Sequence, residues 1–478
     1  MPYSNDNDSD FEKRRPSIDS KSLRINLNPS IYGTFAEIGG GQEVARNFFR
    51  VGAASGTIAK TISAYDKNFS DSIYGEDDDG RYVTETRLIK MLDHEMTLLE
   101  NRIKRIENPN KLFFTYANTV ATIDFAKRYK GHGWMGLRFQ TNPKEKYSEI
   151  TLHVRFHQTN AKSQQEELGI VGVNLIYGAF YKNNKPKSLV KYLYDHIDKD
   201  SIEIDTINFK GPLFKDVDNR LMSLELVKNH MTKAVMFNPN GNNVLPAREL
   251  YKKNILALRG SFRPVTKVNI DMFENSYDVF EKLPEIESDS TKVIFEITLS
   301  NLMESGEIDE KDFMDRAKLL CSLGHTVMIS NFKEYYKLVE YLSNYTGKFI
   351  GLTMGVNNLI EIFNENYYKD IDGGILEAFG KMFHKNVMIY LYPILDNNKK
   401  IIDSNNLKLH PRMKDFYKFF KYNGKIIDLF EYNKEYLEIY SRNILDNIKA
   451  NGGSWKEKLP DGISEMIIKN KMFGYGDE

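Results

Sequence analysis

The side chains best suited to hold an anion lie in one short stretch that begins at Arg259. Gly260 permits a tight turn or a close approach of the backbone to a ligand, and Pro264 ends regular strand pairing. The cations of the stretch are Arg259, Arg263 and Lys267. A helix is predicted to begin near Asn269, and the unpaired N–H groups at its start can hold a phosphate. The stretch therefore predicts a site for a nucleotide or another phosphate-bearing small molecule.

A buried strand and a helix must position this turn. The apolar run that opens Ile255–Phe262 fits a strand covered on both faces of a sheet. The pattern from Asn269 to Leu283 predicts the helix that follows. In parallel sheets, ligands lie at the carboxyl ends of the strands. The turn is thus expected at the ligand-binding edge of a sheet.

Arg259 and Glu296 each interrupt an apolar strand. An unpaired charge is costly in such a place, so the two residues are expected to face each other on neighbouring parallel strands. Their charged groups should then lie within about 4 Å, the usual limit for an ion pair. A purely structural pair and a role in ligand binding are both open.

The order G-S-F-x-P-x-T at residues 260–266 resembles the opening motif of the nucleotidylyltransferase superfamily, which includes nicotinate-nucleotide and pantetheine-phosphate adenylyltransferases. In that family the motif reads G-x-F-x-P-x-[HT]-x-G-H, and its last four residues hold the triphosphate of ATP. The four corresponding residues here are Thr266, Lys267, Val268 and Asn269. Val268 replaces the family's glycine and Asn269 replaces its essential histidine. The family's second signature, I-S-S-T-x-x-R, has only a partial counterpart, which begins at Ile329 and lacks the arginine.

The resemblance implies a Rossmann-like fold that binds ATP with Mg²⁺ and transfers an adenylyl group to a nucleotide-like acceptor. It implies catalytic positions for Arg259, Thr266 and Asn269. The ligand-binding positions that it implies are Gly260, Ser261, Phe262, Arg263, Pro264 and Lys267. The chain is also similar to bacterial proteins that carry an adenylyltransferase label. Because the glycine and histidine are replaced, the second hypothesis is a nucleotide sensor or scaffold without turnover.

Strands and helices alternate over residues 201–395, which predicts a mostly parallel, doubly wound α/β sheet. The predicted strands are Ile202–Phe209, Ala234–Asn238, Ile255–Phe262, Val293–Leu299, Thr326–Ser330, Phe349–Met354 and Val387–Tyr392. A (β/α)8 barrel is the alternative. Residues 1–25 are predicted to be a disordered tail, and 26–200 an α+β region with an antiparallel hairpin. Residues 396–478 are predicted to be helical and to form either a cap over the sheet or an oligomer contact.

The hairpin is predicted from alternation in residues 149–157, where apolar residues alternate with His153, Arg155 and His157 among others. Its partner strand is predicted at residues 134–140. A solvated polar face is one interpretation, and a cationic face that receives an anion or a partner domain is the other. His153 and His157 would lie about 13 Å apart along the strand, too far apart to share one metal ion.

Two glycine-rich segments compete as phosphate loops. Three glycines begin at Gly39, before a predicted helix, and Gly52–Thr61 has a superficial likeness to a P-loop. The glycine spacing of G-x-x-x-x-G-K-[ST] is not met, so a turn with close helix packing is the favoured interpretation. Asp372-Gly373-Gly374 opens another predicted helix, where phosphate binding and a plain helix cap fit equally well.

Composition excludes several function classes. The chain has 478 residues, and Lys plus Arg equals Asp plus Glu at 66 each, so neither nucleic acid nor an anionic membrane is expected as the partner. The polar N-terminus has no signal-peptide pattern, and no stretch has the length of a membrane span, so a cytoplasmic protein is expected. A single cysteine, Cys321, allows no internal disulfide and no cysteine-rich metal site. No metal site is predicted.

Overall fold

Two β-sheets organise the chain, one in each of two units. The computed structural model describes residues 15–77, 80–128, 130–287, 290–303, 306–384 and 386–476. Unit 1 is Met1–Thr232 and unit 2 is Lys233–Glu478. Residues 1–14 of the predicted tail lie outside the described residues. Among the residues that are described, no helix has both the length and the apolar character needed to cross a membrane.

Unit 1 is built on a six-stranded sheet with the order β2-β1-β3-β4-β5-β6. Its strands are β1 (Ile31–Gly39), β2 (Ile58–Ile62), β3 (Leu112–Ala121), β4 (His132–Phe139), β5 (Ser148–Phe156) and β6 (Ile202–Lys210). Its helices are α1 (Ile18–Asn26), α2 (Glu43–Arg50), α3 (Lys67–Tyr74), α4 (Glu85–Arg102), α5 (Ala161–Tyr181), α6 (Pro186–Tyr192) and α7 (Asn219–Lys228). β1 is parallel to β2 and β3, whereas β3 to β6 pair antiparallel.

The strand predicted at residues 202–209 forms as β6, but it does not join the parallel sheet. It pairs antiparallel with β5 in unit 1, with Ile150 opposite Phe209. A short strand followed by a helix occurs in both parallel and antiparallel sheets. The pairing direction of β6 depends on the strand beside which it lies in the folded protein. Local pattern therefore predicted the strand correctly and its partner wrongly.

Helix α1 shows that the prediction of a disordered tail as far as residue 25 is wrong. Ser17 caps the helix by accepting a backbone N–H. The ammonium of Lys21 is fully buried, pairs with Asp195, and donates to Asn174 Oδ1 at 2.7 Å. The polar residues that suggested a hydrated tail instead cap the helix and anchor it.

The β4–β5 hairpin is confirmed, but the polar face of β5 is not solvated. Trp134 lies opposite His153 in an antiparallel pair. Thr151 and His153 are each only 1% exposed. A Cβ at Gly136, opposite Thr151, would lie 3.2 Å from Leu88 of α4. Alternation identified the two faces of the strand correctly but could not reveal that a helix packs over the polar one.

The glycine-rich segment after β1 closes around a buried carboxyl group, that of Glu37. Glu37 is 2% exposed and accepts the backbone N–H of Ala45 in α2 at 3.2 Å. Asn118 donates to the carbonyl of Gly41 at 3.0 Å, and a Cβ at Gly41 would clash with that side chain. Burial raises the pKa of Glu37 to about 8. The chain's own carboxyl group, mostly protonated at neutral pH, thus accepts an N–H at the start of α2 that a phosphate would need.

Unit 2 is built on an eight-stranded sheet. Its strands are β7 (Ala234–Phe237), β8 (Asn243–Val244), β9 (Asn254–Arg259), β10 (Thr291–Thr298), β11 (Thr326–Ser330), β12 (Ile350–Gly355), β13 (Val387–Tyr392) and β16 (Ile426–Asp428), and β14 (Ile394–Leu395) and β15 (Ile401–Ile402) form a separate ribbon. Its helices are α8 (Pro246–Glu249), α9 (Lys267–Glu281), α10 (Leu299–Leu302), α11 (Glu310–Ser322), α12 (Tyr335–Ser343), α13 (Val356–Ile362), α14 (Gly374–Met382), α15 (Lys414–Tyr422), α16 (Ser441–Lys449) and α17 (Ile463–Asn470).

The predicted fold class is confirmed, since unit 2 is an open, mostly parallel, Rossmann-like α/β sheet and not a barrel. Its strand order is β16-β13-β12-β9-β10-β11-β7-β8. The six strands from β16 to β11 are parallel, whereas β7 pairs antiparallel with β11. The strand predicted near residues 234–238 is therefore an antiparallel addition. The C-terminal region, predicted to be helical, also supplies β16.

Apolar layers cover both faces of the unit 2 sheet. Ile255 and Ala257 of β9 pack in a cluster with Phe379 of α14. Leu256, which points to the other face, packs with Phe280 of α9. Alternate residues of one strand thus meet helices on opposite faces, as the continuous apolar run in the sequence predicts.

Replacing Glu37 by Gln should flatten the dependence of stability on pH. Its folded-state pKa of about 8 lies above the ordinary value of 4.5, so the folded state holds an extra proton between those pH values. Wild-type stability should therefore fall, on the order of a few kcal/mol, as pH rises through this window. Urea unfolding midpoints at pH 5 to 8 measure the effect. The surface variant Glu166→Gln is the control, and parallel pH profiles for wild type and Glu37→Gln would contradict the prediction.

Candidate functional site

The candidate site lies at the carboxyl ends of β9 and β12, where the strand order of unit 2 reverses. The chain runs from β9 to β10 and β11 on one side, then returns to the other side of β9 to form β12. A crevice forms at such a reversal because the connections leave in opposite directions, and ligands of open α/β sheets bind there. The turn at residues 260–266 follows β9 and leads into α9. The structure thus places the predicted turn beside the switch point.

Arg259 and Glu296 form the predicted ion pair on neighbouring parallel strands. They are direct partners in the β9–β10 register. Arg259 Nε donates to Glu296 Oε2 at 2.8 Å, and Nη2 donates to Oε1 at 3.0 Å. Glu296 is fully buried, and Ser330 of β11 donates to its Oε1 at 2.6 Å. Three adjacent strand ends are therefore joined by one buried, bidentate pair.

Tyr335 and Asn358 complete this network, and they had no signal in the sequence. The guanidinium carbon of Arg259 lies 4.3 Å from the centre of the Tyr335 ring, which gives a cation–π contact. Asn358 donates to the Tyr335 hydroxyl at 3.0 Å. Burial raises the pKa of Tyr335 to about 12, against the lowering effect of Arg259. Arg259 is thus held by its neighbours on the sheet and is not directed at an open phosphate site.

The packing of the turn itself requires glycine at position 260. A Cβ at this position would lie 2.9 Å from the ring of Phe262, which folds back and is buried. The backbone of Phe262 has a positive φ of 46°, a conformation that is uncommon outside glycine. Substitution of Gly260 would therefore disturb this packing, whether or not a ligand approaches the backbone.

Helix α11 braces the same turn with a buried arginine. Arg316 is 1% exposed and donates to the carbonyls of Ser261 at 3.0 Å and Asn301 at 3.1 Å. It also pairs with Asp312, which accepts from Arg263 Nε at 2.6 Å. Arg263, predicted to bind the ligand, therefore contributes to a structural ion pair.

Thr266 and Asn269 cap helix α9. Asn269 Oδ1 accepts from the Thr266 backbone N–H at 2.9 Å and from its hydroxyl at 3.0 Å. Thr298 and Asn301 repeat the arrangement after β10, at 3.2 and 2.8 Å. The repeat identifies T-x-x-N as a local capping motif. Asn269, which stands where the family has its essential histidine, thus has a structural contact.

Three residues at the turn, Ser261, Phe262 and Lys267, have polar groups with no partner among the described residues. Within the described part of the chain, nothing accepts from the backbone N–H groups of Ser261 and Phe262. The Ser261 hydroxyl and the Lys267 ammonium likewise have no hydrogen-bond or ion-pair partner among those residues. Lys267 is the first residue of α9. Ser261 and Phe262 lie in the turn that leads into this helix, and the start of a helix favours a phosphate.

The competing glycine-rich turn of unit 2 is occupied by the protein itself. The backbone N–H of Gly373 donates to Glu377 Oε2 at 3.1 Å. A helix cap therefore explains Asp372-Gly373-Gly374, in the same way that Glu37 explains the segment after β1. In the described residues no three His, Cys, Asp or Glu side chains are grouped so as to hold a metal ion.

Comparison with known proteins adds little to this geometry. No family model matches the chain, and no curated protein matches it. The chain is similar to the competence/damage inducible protein CihA from Agrobacterium tumefaciens, with 13% identity, a TM-score of 0.22, and coverage of 33% of this chain and 88% of that one. It is also similar to a competence-damaged protein (CinA) superfamily protein from Enterobacter cloacae, with 10% identity, a TM-score of 0.25, and coverage of 34% and 92%. Similarity at this level carries no argument about function.

Replacing Glu296 by Ala should destabilise unit 2. Removing one partner of a buried ion pair leaves an uncompensated charge, at a cost of about 3–5 kcal/mol. Thermal and urea unfolding should show a clear loss. Glu438→Ala, in the exposed pair with Lys399, is the matched control and should leave the midpoint unchanged. Equal midpoints for wild type and Glu296→Ala would show that the pair contributes nothing.

Replacing Asn269 by Ala should cost about 1 kcal/mol, the usual value of a helix cap. The control is Asn275→Ala in the same helix, because the Asn275 side chain donates to the carbonyl of Asp271 one turn earlier and does not cap the helix start. That change should not destabilise, since alanine is the better helix former. Urea unfolding measures both variants. Similar losses for the two would refute the capping role of Asn269.

Proposed function

We propose that unit 2 binds a nucleotide, or a closely related phosphate compound, in the crevice between β9 and β12. The phosphate lies against the backbone N–H groups of Ser261 and Phe262 and the start of α9, with Lys267 as its counter-ion. The observation that carries the proposal is the coincidence of these open donors with the reversal of strand order.

Charge supports this placement. Lys267 is the first residue of α9, so its charge adds to the positive end of the helix dipole and favours an anion. At the other helix starts that the sequence offered, near Gly39–Gly41 and Gly373, a backbone N–H already donates to the carboxyl group of Glu37 or Glu377. In the turn at 260–266, by contrast, the N–H groups of Ser261 and Phe262 have no acceptor among the described residues.

The family resemblance names ATP with Mg²⁺ as the ligand and adenylyl transfer as the reaction. Asn269 is engaged in the cap, and Arg259 and Arg263 are engaged in ion pairs, so the groups that would stabilise a leaving pyrophosphate are already committed. We therefore favour binding without turnover. Adenylyl transfer is the second candidate, favoured by the intact order of Gly260, Phe262 and Pro264.

A thermal-shift and calorimetric screen of ATP, ADP, AMP and inorganic phosphate, with and without Mg²⁺, tests the proposal. A ligand of the folded state should raise the melting temperature. Lys267→Ala should weaken binding about tenfold or more, because it removes a charged hydrogen bond. Lys282→Ala, just beyond the opposite end of the same helix, is the matched control and should bind as wild type does.

Two outcomes would overturn the proposal: no stabilisation by any of these ligands at millimolar concentration, or binding that Lys267→Ala leaves unchanged. Release of pyrophosphate from ATP, by the wild type or by Asn269→His, would favour the catalytic candidate. The histidine variant must first be shown to fold, since the substitution also removes the cap.

A further inference from the structure

A small pocket lies in unit 2 beside the start of α12. Lys333 and Tyr335 line it where β11 leads into α12, and Ile362 and Tyr367 line it at the end of α13 and in the turn that follows. The volume of the pocket is about 300 Å³ when the solvent at its open mouth is included. Ligand sites have volumes of roughly 300–1,000 Å³, so this pocket has room only for a small molecule.

Two opposite charges at this pocket have no partner among the described residues. Lys333 and Glu361 both line the pocket and are exposed. Neither side chain forms an ion pair or a hydrogen bond with another described residue, and the two do not pair with each other. The remaining charged residue of the lining, Glu334, pairs with Lys337 at 2.8 Å. The pocket therefore offers both an ammonium and a carboxylate to a ligand.

The walls of the pocket are held by contacts of the protein itself. Arg259 Nη1 donates to the carbonyl of Lys333 at 3.3 Å, and its guanidinium lies over the ring of Tyr335. At the end of α13, the Tyr368 hydroxyl donates to the carbonyl of Ile362 at 2.8 Å. A ligand would therefore have to order little beyond the charged side chains, which keeps the entropic cost of binding low.

The ring of Tyr367 is open to a ligand. It is 39% exposed, and among the described residues it contacts no aromatic ring and no cation. Burial, and then the charge of Glu361, raise the pKa of the Tyr367 hydroxyl, so the carboxylate lies near this side chain. An ammonium held by Glu361 would thus be close to a tyrosine ring, and a cation over such a ring is favourable.

We propose that this pocket binds a small zwitterion, such as an amino acid, whose ammonium pairs with Glu361 and whose carboxylate pairs with Lys333. The apolar part of the ligand packs against Tyr367 and Ile362. A ligand with a single charge would leave one of the two pocket charges unpaired, so both charges are needed for full affinity. The pocket shares no residue with the turn at 260–266, so this site does not depend on the proposed nucleotide site.

Ligand-observed NMR titration of the full chain at neutral pH tests the proposal, with leucine, β-alanine, γ-aminobutyrate and δ-aminovalerate as probes. The series varies the distance between the ammonium and the carboxylate of the ligand. At least one member should bind with a Kd of about 1 mM. The matching acid and amine, which are butyrate and butylamine for γ-aminobutyrate, carry one charge each and should bind about fivefold more weakly, because each forms only one ion pair.

Two variants test the assigned residues. Glu361→Gln and Lys333→Gln should each weaken binding of the zwitterion about fivefold, because each removes one ion pair. The matched controls are Glu365→Gln and Lys369→Gln, which change exposed residues outside the pocket and should bind as wild type does. Lys267→Ala should also bind the zwitterion normally, which separates this site from the nucleotide site.

Three results would overturn the proposal. The first is that no member of the series binds at about 10 mM, a concentration well above the expected Kd. The second is that the acid or the amine alone binds as tightly as the matching zwitterion. The third is that Glu361→Gln or Lys333→Gln binds as wild type does. Both substitutions lie at exposed positions, so the variants should fold, and thermal unfolding without ligand checks this.

Discussion

The buried pair between Arg259 and Glu296 is the interaction on which the carboxyl edge of unit 2 depends. Two charges removed from water must satisfy each other and their remaining hydrogen-bonding groups, because the cost of desolvation otherwise exceeds their attraction. Here Ser330 supplies one further bond, and the ring of Tyr335 covers the guanidinium. The ends of β9, β10 and β11 and the start of α12 are therefore fixed relative to one another, and the neighbouring turn is built on a rigid edge.

A second constraint acts at the start of the helices, where N–H groups have no partner within the helix. The protein satisfies several of them with its own side chains. Glu37 accepts an N–H at the start of α2, and Glu377 accepts one at the start of α14. Asn269 and Asn301 accept the backbone N–H groups of Thr266 and Thr298, just before α9 and α10. The helix starts near Gly39–Gly41 and at Gly373 thus each have one N–H bonded to a side chain of the protein. The nucleotide-binding proposal rests on the turn at 260–266, where the N–H groups of Ser261 and Phe262 precede the Thr266–Asn269 cap and have no partner among the described residues.

The sequence predicted the features that depend on the local residue pattern and on the free-energy cost of burying a charge. Apolar strands interrupted by single charges predicted the Arg259–Glu296 pair, and alternation predicted the β4–β5 hairpin. The predictions that failed concern features that depend on residues far apart in the sequence. The burial of Lys21 requires Asp195, the cover over the face of β5 that carries Thr151 requires α4, and the antiparallel pairing of β6 requires β5. Tyr335 could not be predicted from the sequence because it contacts Arg259 through the face of its ring. Residue spacing does not reveal such a cation–π contact.

Arg316 holds the turn at 260–266 in place, which affects the rate at which the proposed ligand would bind. Its guanidinium holds the carbonyls of Ser261 and Asn301, and its partner Asp312 holds Arg263, so the turn cannot open unless a buried charge loses its hydrogen bonds. At the proposed nucleotide site, a ligand would therefore meet a preformed surface, and binding would not require a loop to move. Association would then follow a single exponential whose rate rises linearly with ligand concentration, and differences in affinity between related ligands would lie in how long each stays bound.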